Sequence, residues 1–87
     1  MELYSLENAQ YLKNYYSLKV INKIADEKTG LRITSIELEQ VNNDLYNLNC
    51  CGYLINNISI VTKMSIKTTA EFMNLKSPEF VLQRRDQ

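Results

Sequence analysis

The chain has 87 residues, enough for one domain that buries about two thirds of the surface its unfolded chain exposes. Ten Lys and Arg balance ten Asp and Glu, and 45% of the residues are hydrophobic. This excludes intrinsic disorder and removes net charge as a driver of nucleic-acid or membrane-surface binding. The balance is uneven along the chain. Residues 1–44 carry seven acids and five bases, and residues 45–87 three acids and five bases, so a phosphate-facing surface is expected in the second half. No apolar run is long enough to span a bilayer. Met1-Glu2-Leu3-Tyr4 lacks the basic start and apolar core of a signal peptide. Two adjacent cysteines make no disulfide framework, so a cytoplasmic protein with free thiols is expected.

In chain order, a first helix is expected to begin after Ser5, a good N-cap, and to continue to about residue 26. Leu6, Ala9, Leu12, Tyr16, Val20 and Ile24 recur at three- and four-residue steps along it. Asp26-Glu27-Lys28-Thr29-Gly30 reads as its stop. Leu31-Arg32-Ile33 is a short extended piece. Thr34 or Ser35 then caps a second helix, with Glu37 placed for a capping box and Leu38, Val41, Leu45 and Leu48 as its apolar stripe. On this reading Gly52 ends the helix, Cys51 lies near the core and Cys50 lies on the outer face.

Tyr53-Leu54-Ile55 and Ile58-Ser59-Ile60-Val61-Thr62 read as short strands turned by Asn56-Asn57. Thr68-Thr69-Ala70-Glu71 is a capping-box pattern that opens a short helix. Ser77-Pro78-Glu79 starts a last helical turn through Leu82, and Arg84-Arg85-Asp86-Gln87 is expected to fray.

Catalysis is poorly provisioned. With no histidine, the commonest general base and metal ligand is missing. Two cysteines fall short of a four-ligand zinc site, and no glycine-rich phosphate loop is present. A non-enzymatic chain without cofactors is expected.

"LYNLNCCGYL" followed by "SIKTTAEFMNL" resembles the small winged-helix proteins of low-GC bacteria and their phages over residues 17–75. Gly52-Tyr53-Leu54 and Ile66-Lys67-Thr68-Thr69-Ala70-Glu71-Phe72-Met73 stand where that family ends its recognition helix and follows its wing. Ala70 replaces a glycine common there, and the span from Ile33 to Gly52 is short for a full helix-turn-helix. The resemblance implies an α+β winged-helix-like domain over 1–87: a long N-terminal helix, a second helix, a short β-hairpin wing and C-terminal helical turns. It also implies a regulatory, DNA-binding role, with the second helix in the major groove. Asn43 and Asn47 are able to read adenine edges and Tyr46 to touch phosphate, with Lys63, Lys67, Lys76, Arg84 and Arg85 as further phosphate contacts.

The alternative is a protein-interaction module, or an inhibitor of the anti-host or anti-defence kind that phages carry, on the same scaffold. Tyr4, Tyr11 and Tyr15 share one side of the first helix and suit a homodimer or partner interface. The competing expectation is that Phe80-Val81-Leu82 packs back over these rings and makes them core.

Overall fold

A computed structural model describes residues 2–25 and 30–85. Ser5 caps the first helix, α1 (Leu6–Val20), by accepting the Asn8 N–H at 3.2 Å. Ala9, Leu12, Tyr16 and Val20 are its buried face, whereas Leu6 and Ile24 of the expected stripe are exposed. The helix ends earlier than the apolar spacing suggests. Asn22 takes a positive φ of 62°, and the chain turns to run along a strand edge. There the Asn22 N–H donates to the Ile33 carbonyl and the Ala25 N–H to the Leu31 carbonyl, both at 2.8 Å. The expected stop at 26–29 lies outside the described residues, but Gly30 beyond it has φ +63°. Glycine reaches that conformation without steric cost.

The expected second helix is absent. Residues 34–50 instead belong to two antiparallel strands, β1 (Leu31–Gln40) and β2 (Tyr46–Leu54), joined by a tight turn. Leu31, Ile33, Ile36 and Leu38 face the core. A bulge between Ile33 and Ser35 advances the side-chain alternation by one residue. This creates the three-residue step from Ile33 to Ile36 that mimics a helix period. Asn42 nucleates the turn: its Oδ1 accepts the N–H groups of Asp44 and Leu45 at 3.0 and 3.1 Å.

The expected hairpin is present and longer, but it turns at Ile55-Asn56 instead of Asn56-Asn57, so Ile55 leaves its expected strand and Asn57 opens the next. β3 (Asn57–Ser65) pairs antiparallel with β2, giving the order β1-β2-β3. Its register runs from Asn49↔Ser65 to Tyr53↔Val61 and then jumps to Leu54↔Asn57, so residues 58–60 bulge out without a partner on β2. Beyond Ser65 the N-terminus takes the neighbouring place on β2: Tyr4 and Tyr46 exchange both backbone hydrogen bonds, at 2.9 and 2.8 Å.

Ser65 caps α2 (Ile66–Phe72) by accepting the Thr68 N–H, so the helix starts earlier than the Thr68 capping box suggests. As expected, Ser77 precedes α3, which opens at Pro78; its Oγ accepts the Phe80 N–H at 3.2 Å. The helix α3 (Pro78–Arg85) is longer than the single turn expected, and it carries Arg84 and Arg85 in its last turn rather than in a frayed tail. The described residues form a small α+β domain of three helices and a three-stranded antiparallel sheet. One core joins α1, the inner face of β1 and β2, and Ile66, Ala70 and Val81 from the C-terminal helices. No described helix is long and apolar enough to cross a membrane.

Gly52 therefore has a different task from ending a helix. It lies opposite Ile33, beside the bulge. A Cβ there would collide with the backbone carbonyl of Arg32 and stand 3.0 Å from the Ile33 Cα. Because backbone rather than a side-chain tip fills the space, Gly52→Ala is expected to lower the unfolding free energy by about 2 kcal/mol or more. Chemical denaturation checks this; a variant as stable as the wild type would contradict the close approach of β1.

Candidate interaction surfaces

Alternation along β2 sorts its side chains between two faces. Leu48 and Cys50 point to the core, while Asn47, Asn49, Cys51 and Tyr53 take the outer face. The helical assignment of the cysteines is thus reversed: Cys50 is fully buried and Cys51 is half-buried. Adjacent residues on opposite faces of a strand cannot grip one ion, and no group of three potential metal ligands occurs among the described residues. Burial pushes the Cys50 thiol from its ordinary 9.0 up to about 11, against a lowering hydrogen bond with Thr69. Cys51 is also raised, by burial first and the nearby Glu37 second. Neither thiol is an activated nucleophile.

The residues expected to read DNA do not form one surface. Asn43 is exposed in the β1–β2 turn, and Tyr46 is half-buried at the start of β2. Asn47 is only 8% exposed and gives its Nδ2–H to Asn49 Oδ1 at 3.1 Å. Lys63 reaches across the middle strand to Glu39 at 3.7 Å. Lys67 stands exposed on α2. Lys76, Arg84 and Arg85 lie elsewhere again, against α1.

That last group meets the tyrosines. Arg85 pairs with Glu7, donates to Asn8 Oδ1 at 3.0 Å and lies over the Tyr11 ring at 4.5 Å, clamping α3 to α1. Beside this clamp, Tyr11, Tyr15, Lys76, Phe80, Val81 and Arg84 line a cleft of about 170 Å³. Val81 is buried, and Tyr11 and Tyr15 pack partly against the core, so the C-terminal segment does fold back toward these rings. Tyr4 is separate from them: it is 6% exposed and tied by its backbone to Tyr46. Burial raises both its hydroxyl pKa and that of Tyr16, whose hydroxyl donates to the Lys76 carbonyl.

A second surface was not singled out by sequence reasoning. The β2–β3 hairpin exposes Ile55, Ile58, Ile60 and Val61, with Ile58 at 74% and Val61 at 77% exposure. Ile58 and Ile60 fall in the unpaired stretch 58–60, Ile55 in the turn, and Val61 opposite Tyr53. The signal was present as a long uncharged run, since no Asp, Glu, Lys or Arg occurs between Asp44 and Lys63. Compared with known proteins, the chain matches no family model, no curated protein and no solved structure.

The cysteine environments set a solution test. At pH 8 a thiol reagent should modify Cys51 in the folded protein and Cys50 only on unfolding, and Cys51→Ser should abolish the native reaction. Two equally fast native thiols would contradict the register. The raised Cys50 pKa means that the folded state holds its proton after the unfolded state has lost it. Stability is then present below pH about 9 and drains away as pH rises toward 11. Cys50→Ala should flatten that alkaline slope in denaturation curves.

Proposed function

We propose that this chain is a small non-catalytic protein-binding module that docks on its partner through the β2–β3 hairpin. The carrying observation is the group of four exposed aliphatic side chains, Ile55, Ile58, Ile60 and Val61. Isolated exposed hydrophobes are ordinary, but four within the seven residues 55–61 of one uncharged hairpin mark a contact surface. Burying such side chains gains about 1.5–3 kcal/mol each when complete, enough for a few of them to anchor an interface.

A DNA-binding winged-helix role has less support. Such a domain reads bases with a helix, and here the corresponding residues run as β1 and β2. A wing that touches phosphate needs cations. The tip of this hairpin is uncharged, and Lys63 already faces Glu39.

Selection from a random peptide library, followed by affinity measurement, tests the proposal. Binders should lose about tenfold or more in affinity, ~1.4 kcal/mol, for Ile58→Lys/Val61→Lys, whose positions are exposed enough to leave folding intact. Duplex DNA should not bind at low salt. Binders indifferent to the double variant would overturn the proposal. So would duplex binding whose salt dependence flattens in Lys63→Ala/Lys67→Ala.

A further inference from the structure

The α1–α3 cleft is a second surface feature, distinct from the hairpin. Its lining holds three rings, Tyr11, Tyr15 and Phe80, one buried aliphatic, Val81, and two cations, Lys76 and Arg84. No acidic residue is among them. Lys76 Nζ stands 5.0 Å over the Phe80 ring, and Lys19 Nζ stands 4.9 Å over Tyr15. Cations are therefore held at the rim of an aromatic surface rather than dispersed in solvent.

The surroundings extend this polarity. The described cations of α1, the α1–β1 connection, the α2–α3 connection and α3 are Lys13, Lys19, Lys23, Lys76, Arg84 and Arg85. Among the described residues of the same elements the acids are Glu7 and Glu79, and Glu7 is taken up by Arg85. In a chain with no net charge, the helical side carries a local positive excess.

We propose that the cleft binds an acidic peptide segment of a partner protein by seating one aromatic side chain between α1 and α3. A volume of about 170 Å³ lies below the usual range of small-molecule sites, about 300–1,000 Å³, and suits a single large side chain. Ring-to-ring packing holds the inserted side chain, and Lys76, Arg84 and Lys19 meet carboxylates on either side of it. A polynucleotide is the poorer fit. It would draw on a tract of phosphate contacts and a long-range field, and a neutral chain supplies neither.

The test uses the intact protein and a fluorescein-labelled Asp/Glu-rich peptide carrying one central phenylalanine, followed by anisotropy and by amide and side-chain NMR. Binding should weaken with salt. It should fall about tenfold or more when the peptide's phenylalanine becomes alanine or its acids become amides. Lys76→Gln and Phe80→Ala, both at exposed positions, should each weaken binding while keeping the wild-type thermal midpoint. Shifts should centre on Tyr11, Tyr15, Phe80 and Arg84. No binding up to about 1 mM peptide would overturn the proposal. So would shifts centred on residues 55–61, or tighter binding of a single-stranded oligonucleotide at the same salt. Lys76→Gln and Phe80→Ala change the cleft alone, and Ile58→Lys/Val61→Lys changes the hairpin alone, so either proposal can fail while the other stands.

Discussion

The structure depends on the empty space over Gly52. β1 crosses β2 there with its backbone where a side chain would otherwise stand, and the Arg32 carbonyl, just ahead of the bulge at Thr34, occupies the room that glycine leaves. That approach fixes the register of the central strand, and register fixes sidedness, because one residue of slip exchanges the two faces. Cys50 and Leu48 enter the core, while Asn47, Asn49 and Cys51 leave it. The same register brings Glu39 and Lys63 to the outer side of β2, from the strands on either flank. Both side chains are about half exposed, so this pair adds little stability and serves more to keep the edge charges of the sheet occupied.

Two surfaces of opposite character result. At one end the hairpin projects bare aliphatic side chains from a run of sequence that holds no charge. On the helical side, rings and cations share a cleft beside the Arg85 clamp. An apolar knob and a cationic slot would favour different partners, or different parts of one partner. A chain of this size can carry both because its core needs only one face of a three-stranded sheet.

Much of the fold was legible from local chemistry. Ser5 and Ser77-Pro78 each announced a boundary through a cap, and the structure keeps both, whereas the turn expected at Asn56-Asn57 falls one residue earlier, at Ile55-Asn56. The region 34–50 was not legible as strands, for two identifiable reasons. The bulge inserts one residue into the alternation, turning Ile33 and Ile36 into a helix-like pair. The Asn42 turn then carries the pattern from one strand to the next, so Leu38, Val41, Leu45 and Leu48 imitate a stripe although they straddle a reversal. Short apolar runs leave helix and strand ambiguous on periodicity alone. The cleft was half legible: Tyr11, Tyr15, Lys76 and Arg84 each stood out, but in separate roles. Only the return of α3 onto α1 joins them, a contact between residues far apart in the chain.

That return has a topological side. Arg85 holds Glu7 and Asn8, while Tyr4, just ahead of them, is hydrogen-bonded into the sheet. The last turn of α3 thus meets the first turn of α1, and an ion pair joins segments from opposite ends of the described residues. A molecule built this way tolerates a break elsewhere: the chain can be opened in the exposed Asn42–Asp44 turn while the contact between α1 and α3 holds the two pieces together. Covalent closure would make permanent the approach of α3 to α1 that Arg85 now maintains reversibly.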